Sequence, residues 1–412
     1  MLNASFSYLM VAICTLFISS SLSESWESPA DCSDLVISLR VSSWNRQLEG
    51  SVLTDGASVI ALLTELALTS NNSTWAEEST ALNISARYCE PSWALPHRDA
   101  IELLVHGITY TKDYWSALGM LGDQSRLYSW VDFATRRGYA TLSIDRAGDG
   151  ASSHPNPFHT DQISLHAAVA NRIAVELKRG KIIHGRSFEK VIYVGHSQGS
   201  VIGVELAATY PDAVDAMMLT GYAASSNSPL VMQTGLVPAK DALPARFGSL
   251  DDGYLVTSSF PAREKAFYGR NGTFDPQVSA LDFDVQQTVS VGELATFSRI
   301  KVVSNYSGPV TVITGNQDAA FCYVDETSDG SGPGGECGQG KASRPANVSS
   351  LFPAASSFSA TVLDNIEHCI NLHYEAVTAY TVAHDWIDEQ YVLLPLDPAS
   401  DHWIFVSGFG YR

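Results

Sequence analysis

The chain carries one pentapeptide that could do covalent chemistry, Gly195-His196-Ser197-Gln198-Gly199. It follows the apolar run Val191-Ile192-Tyr193-Val194 and precedes a helical stretch over residues 201–210. A strand that passes into a helix through Gly-x-Ser-x-Gly turns so tightly that only residues with little or no side chain fit at its flanks. The turn lifts the serine hydroxyl clear of the backbone. It also sets that hydroxyl at a helix N-terminus, whose free N–H groups can stabilise an oxyanion. Ser197 is therefore the candidate nucleophile. As a neutral hydroxyl it needs a base to take its proton during attack. The five letters recur by chance in long chains, so the strand before them and the helix after them carry the argument.

Those flanking elements belong to a longer alternation. Residues 101–105 read as a strand, 125–137 as a helix, 140–144 as a strand and 162–178 as a helix. Residues 191–194 form the strand before the serine, 198–210 the helix after it, and 216–219 the next strand. Such spacing means a mostly parallel sheet covered by helices on both faces, an α/β fold. The alternation stops over 222–308, which is rich in Ser, Pro, Gly and Asp and has short amphipathic pieces at 262–268 and 291–297. An inserted cap over the carboxyl ends of the strands is expected there. Its prolines Pro229, Pro238, Pro244, Pro261 and Pro276 favour short pieces over one mobile helix. Strands at 310–314 and 361–363 and a closing helix from 374 to about 390 complete the pattern.

The expected layout is a signal peptide at 1–23 and an N-terminal strand extension at 24–98, with strands at 35–37 and 81–85 around a helix near 57–68. The core's first part follows at 99–221, the cap at 222–308, the second part at 309–392 and an aromatic tail at 393–412. Ligands of open parallel sheets bind beyond the carboxyl ends of the strands, so residues just past each strand are the candidates for function.

Acidic residues outnumber basic ones 44 to 25, a net charge of −19. No basic cluster is available to neutralise phosphates, which argues against a nucleic-acid partner. Residues 8–18 are almost continuously apolar, and small residues at Ser21 and Ser23 suit signal peptidase. The run is short for a membrane span. A secreted, extracellular protein without stable membrane insertion is expected, an uncleaved anchor being the alternative. Sequons at Asn71, Asn72, Asn83, Asn271, Asn305 and Asn347 are candidate glycosylation sites. Removal of Cys14 with the signal leaves Cys32, Cys89, Cys322, Cys337 and Cys369, which permits two disulfides and one free thiol. Cys322 with Cys337 would close a Gly-rich loop, and Cys32 with Cys89 would tie down the N-terminal segment. Cys369 is then left as a buried small hydrophobe. No cluster of metal ligands and no nucleotide fingerprint is present; His154 and His159 are isolated loop histidines, and no metal or cofactor is expected.

Over almost everything after about residue 100 the chain resembles an α/β-hydrolase, in which the order along the chain is Ser, then Asp or Glu, then His. The resemblance places the acid at Asp318, in Gly315-Asn316-Gln317-Asp318 after the strand at 310–314. It places the histidine at His368, in Ile366-Glu367-His368 after the strand at 361–363. His368 would take the serine proton and return it to the leaving group. Asp318 would hold the ring in the useful tautomer and stabilise the imidazolium. His373 is a competing base, its other reading being a structural bond at the start of the last helix. The oxyanion hole would combine the N–H of Gln198 with that of Ile108, because His106-Gly107-Ile108 resembles the family's His-Gly turn; His106 is then structural. Asp145-Arg146-Ala147-Gly148-Asp149-Gly150 is similar to the family's Asp-x-x-Gly-x-Gly turn, which implies a folding role. Ser143-Ile144-Asp145-Arg146, Ser152-Ser153-His154-Pro155, the run Asp318-Ala319-Ala320-Phe321-Cys322 and Asn371-Leu372-His373 are similar to secreted fungal α/β-hydrolases. Where the family often has glycine before the histidine, Glu367 stands here, able to raise the pKa of His368 or to face solvent.

An activated serine with an oxyanion hole performs acyl transfer, usually to water. Epoxide hydrolases and haloalkane dehalogenases of this fold carry Asp as nucleophile, so Ser197 speaks against both. The resemblance thus implies a secreted serine hydrolase that cleaves small-molecule carboxylic esters through an acyl-enzyme, an esterase or lipase. The alternative is a secondary-metabolite tailoring hydrolase, lactonase or acyltransferase in the secretory pathway. A non-catalytic binding protein of this fold usually lacks the nucleophile or the base, and here both are present.

Overall fold

The computed structural model describes residues 30–70, 73–91, 99–120, 122–224, 235–269, 272–297, 302–303, 305–329 and 334–392. The N-terminal segment expected to be a signal peptide, with Cys14, the sequons at Asn71, Asn72 and Asn271, Pro229 and the aromatic tail lie outside them. Two long strands, β1 (Ala30–Arg46) and β2 (Trp75–Pro91), pair antiparallel. Helix α1 (Gly56–Leu68) links them, its first turn closed by a reciprocal cap between Asp55 and Ser58. Cys32 sits opposite Cys89 in the hairpin and is bonded to it.

Then come β3 (Ala100–Val105), α2 (Trp130–Arg137), β4 (Ala140–Ile144), α3 (Ile163–Lys178), β5 (Lys190–His196), α4 (Gln198–Thr209) and β6 (Ala216–Thr220). After an insertion the chain returns with β10 (Val310–Gly315) and β13 (Phe358–Leu363) and ends, among the described residues, in α11 (Ala376–Val392). The eight strands stand in the order β1-β2-β4-β3-β5-β6-β10-β13; every pair from β4 to β13 is parallel. Central strands β3, β4 and β6 are buried along their whole length, as a sheet covered on both faces requires. This is the α/β-hydrolase fold expected from the sequence.

The insertion between β6 and β10 builds its own three-stranded antiparallel sheet from β7 (Leu236–Pro238), β8 (Tyr254–Thr257) and β9 (Val289–Ser290). Its helices are α5 (Ala239–Ala242), α6 (Pro244–Phe247), α7 (Phe260–Phe267), α8 (Pro276–Val285) and α9 (Val291–Phe297). Pro244, Pro261 and Pro276 each lie in a first turn, where a missing N–H costs nothing. Between β10 and β13 lie the four-residue helix α10 (Ala319–Cys322) and a small ribbon of β11 (Tyr323–Val324) and β12 (Gly334–Gly335). Cys322 and Cys337 are bonded across this ribbon.

Several boundaries differ from the sequence expectation, most of all in the N-terminal hairpin, where strands expected at 35–37 and 81–85 run over Ala30–Arg46 and Trp75–Pro91. The helix expected from residue 125 begins at Trp130, because Ser129 caps it through the N–H of Asp132 and a separate 3-10 turn precedes it. Strand β13 begins three residues before its expected start. His373 lies ahead of the last helix, closing a 3-10 turn, and α11 starts only at Ala376.

Candidate active site

Ser197 stands between the last residue of β5 and the first of α4, with φ 56° and ψ −117°. A non-glycine residue held there costs roughly 1–3 kcal/mol and persists only where its surroundings impose it. They do so by contact. A Cβ on Gly195 would lie 2.5 Å from the carbonyl of Gly199, and one on Gly199 would lie 2.0 Å from the carbonyl oxygen of Val105. Both flanks must therefore be glycine. The Ser197 N–H donates to Thr220 O at 2.9 Å, and the Ser200 hydroxyl bridges Gly195 O and Thr220 O, which pins the elbow to β6.

Asp318 follows β10 and caps α10. Its Oδ1 accepts from the N–H groups of Ala320 and Phe321 at 2.9 and 3.1 Å. Its Oδ2 accepts from Thr314 Oγ1 at 2.8 Å and from His368 Nδ1 at 3.1 Å. Burial pushes this carboxyl's pKa up, but His368 and the donors outweigh it and hold the group below its ordinary value. On the far side of the ring, His368 Nε2 lies 2.7 Å from Ser197 Oγ. The three residues expected from sequence are thus brought together in one hydrogen-bonded chain, with Nδ1–H donating to the acid and Nε2 free to accept from the serine. The rings of Phe267 from α7 and Phe321 from α10 lie 5.7 and 5.8 Å from the His368 ring.

His373 is not brought to Ser197. Its Nδ1–H donates to Cys369 O at 2.8 Å, and its Nε2 accepts from the Glu367 N–H at 3.4 Å. Burial lowers its pKa to about 4, so it stays neutral and staples the two ends of the loop that carries His368. Glu367 does not face solvent; it is buried, its carboxylate occupying the space that a side chain on Gly269 would need. Cys369 is buried and free, but it is more than a hydrophobe, because its Sγ lies 2.8 Å from the Tyr110 hydroxyl.

Gln198 is the first residue of α4, so its N–H has no partner one turn back. Gly107 packs on Ser197: a Cβ there would lie 2.8 Å from Ser197 Cβ and 3.3 Å from Oγ. Ile108, the next residue, is buried. His106 is structural, with Nδ1–H donating to Gly107 O and Nε2 accepting the Arg146 N–H. The turn from Asp145 also folds as expected, since Asp145 Oδ1 accepts the Lys112 N–H and Oδ2 that of Ala151.

Sequence reasoning missed two buried charged clusters around this centre. In the first, Arg146 pairs with Asp149 at 2.8 Å and with Glu293 from α9. His166 lies 2.9 Å from Glu293 and 3.1 Å from Asp161. Burial opposes charge on His166, but the two carboxylates prevail and raise its pKa. Burial and Glu293 push Asp161 up to about 6. Asp161, His166 and Glu293 bring ligand atoms within 4.8 Å of one another. Glu293 Oε1 also receives Arg146 and the Gln198 side chain. In the second cluster, Arg263 from α7 makes a two-bond pair with Asp282 from α8 and donates to Thr109 Oγ1 at 2.7 Å. The Tyr110 and Tyr268 hydroxyls complete the Asp282 shell.

Comparison with known proteins agrees with this architecture. Residues 103–379 match the model of the Alpha/beta hydrolase family. A protein of Emericella nidulans described as "Probable feruloyl esterase B" is 25% identical over 181 residues, which span 42% of this chain and 34% of that protein's length. Among solved structures, the chain is similar to a soluble variant of monoglyceride lipase from Saccharomyces cerevisiae, with 16% identity and a TM-score of 0.50 over 75% of this chain and 92% of that one. It is also similar to a bromoperoxidase from Bacillus anthracis, with 13% identity and a TM-score of 0.49 over 75% of this chain and 96% of that one. At such identities the likeness is one of fold, and the chemistry has to be argued from the site.

Proposed function

Since the chain belongs to the alpha/beta hydrolase family, we propose that it is a secreted serine hydrolase that cleaves carboxylic esters through an acyl-enzyme. The observation that carries the reading is the hydrogen-bonded chain Asp318–His368–Ser197 at the tip of a strained elbow. Ser197 Oγ attacks the ester carbonyl as His368 Nε2 takes its proton. The N–H groups of Gln198 and Ile108 receive the oxyanion, and the imidazolium returns the proton to the departing alcohol. Water, deprotonated by the same nitrogen, then releases the acid. Asp318, ionised throughout, supports the imidazolium. A short or aromatic acyl group is expected, in line with the name of the Emericella relative, because the insertion between β6 and β10 is built from short helices and holds no long apolar lid among the described residues.

Secretion is supported by the apolar segment at the N-terminus and by two disulfides, which persist in oxidising compartments. Asn83, Asn305 and Asn347 are exposed and accessible to glycosylation. The test is labelling with a fluorophosphonate followed by peptide mapping, then a series of soluble model esters of increasing acyl length. Label should appear on Ser197 and vanish in Ser197→Ala, with turnover lower by about a millionfold, as in serine-protease knockouts. Label on a different serine would sink the assignment.

A further inference from the structure

We infer that Arg146, together with His106 and Glu293, is a positioning device that fixes both oxyanion donors from behind. The inference rests on the reading of Ser197 as the nucleophile. It starts from a peptide plane. The carbonyl of Gly107 and the N–H of Ile108 belong to one rigid trans unit and point in opposite directions. That carbonyl accepts from His106 Nδ1 at 2.8 Å and from Arg146 Nη2 at 3.3 Å. Clamping the oxygen on this side turns the Ile108 N–H to the other side of the peptide, while the Cα of the same unit packs on Ser197.

The second donor is held by the same group of side chains. Gln198 carries its N–H at the start of α4, and its side-chain Nε2 donates to Glu293 Oε1. The same oxygen receives Arg146. One carboxylate therefore anchors both halves of the hole, Gln198 directly and the peptide of Gly107 through Arg146. Glu293 is itself fixed, since its Oε2 accepts the Ser290 N–H at 2.8 Å and its own N–H donates to Ser290 Oγ at 3.1 Å. Arg146 is also tied through its backbone N–H to His106 Nε2 at 3.1 Å, so the ring and the guanidinium reach Gly107 as one unit. Donors to a carbonyl polarise its peptide and strengthen the N–H on the other side. The hole is thus set before substrate arrives, which is what electrostatic stabilisation of a transition state requires.

The experiment uses the full secreted chain. Arg146→Lys keeps the charge but replaces a fork of donors with a single ammonium, which cannot reach Gly107 O and Glu293 together. Glu293→Gln keeps the shape and removes the charge that both partners share. For each variant, kcat and KM are measured on the model ester the wild type turns over fastest. The Ki of phenylboronic acid, whose adduct with a serine is a tetrahedral oxyanion, is measured alongside. Expected is a fall in kcat of about tenfold to a hundredfold, less than the loss of a whole donor. KM should stay within about twofold and the boronate Ki should rise by about the factor by which kcat falls. A purely structural role would lower the melting temperature and leave that parallel absent. Should Arg146→Lys fail to fold, Glu293→Gln decides the matter. Unchanged kcat and boronate Ki in a folded variant overturn this inference alone, provided that wild-type Ser197 takes up fluorophosphonate. Wild-type protein that is not labelled there overturns the nucleophile assignment and this inference with it.

Discussion

His373 makes a quantitative claim about acid stability. Both its ring nitrogens are used in the neutral form, one as donor to Cys369 O and one as acceptor from the Glu367 N–H. A second proton on Nε2 would face Tyr268 O at 3.4 Å but would displace that N–H in a buried place, and burial outweighs the new bond. The unfolded chain takes up this proton near 6.5, the folded chain only at about 4. Between these values the unfolded state holds more protons, so the stability is fully present above 6.5 and is lost as the pH falls. At about 1.4 kcal/mol per pKa unit, His373 alone costs about 2 kcal/mol at about pH 5 and about 3 kcal/mol at about pH 4, relative to pH 7.5. The buried rings of His106 and His196, also pushed well below 6.5 by burial, add to the wild-type loss but cancel when a variant is compared with it. His373→Gln does not titrate. It should be less stable than wild type near neutrality, by about 1–2 kcal/mol for the altered bonds, yet should lose about 2 kcal/mol less between pH 7.5 and pH 5. Urea unfolding at the two pH values measures both quantities. Equal losses in variant and wild type, within about 0.5 kcal/mol, would refute the claim that a neutral His373 staples the loop.

Two further expectations follow from the contacts around Ser197 and Asp318. Gly199→Ala would bring a methyl group within 2.0 Å of Val105 O; moving β3 or α4 to admit it should cost about 3 kcal/mol or more, and a melting temperature equal to wild type would show that the elbow has slack. The bridge between Cys322 and Cys337 closes 15 residues, so Cys337→Ser should cost about 3 kcal/mol. Because the Cys337 N–H donates to Asn316 O two residues before Asp318, kcat should fall as well, and a variant with unaltered thermal stability and kcat would contradict both statements.

What could be read from the sequence was what is local. The elbow is legible because a strand, two glycines, a serine and a helix succeed one another within a few residues. Asp318 and His368 were reachable because each comes directly after a strand. Position also put His368 ahead of His373, although both lie in one short loop; that the His368 ring reaches Ser197 Oγ is a matter of geometry. Strand β13 was under-read because five of its six residues are only partly buried, and an edge strand lacks the continuous apolar run of β5. The sheet of β7, β8 and β9 escaped notice because its strands are two to four residues long. The pairing of Arg146 with Glu293 spans 147 positions and leaves no periodic trace. Its only signal is an arginine inside a turn read as a folding element, where a buried guanidinium must find a carboxylate somewhere.

The insertion between β6 and β10 could be taken for an exchangeable accessory. Its contacts say otherwise. Phe267 lays its ring on His368, Arg263 holds Thr109 beside Ile108, and Glu293 grips Gln198. A chimera that received the corresponding segment of another hydrolase would lose all three unless the graft supplied them again. It would also leave Arg146 without its Glu293 partner, and breaking a buried pair from one side costs about 3–5 kcal/mol. New specificity in this scaffold is therefore open to stepwise replacement of single inward-facing side chains and closed to wholesale transplantation.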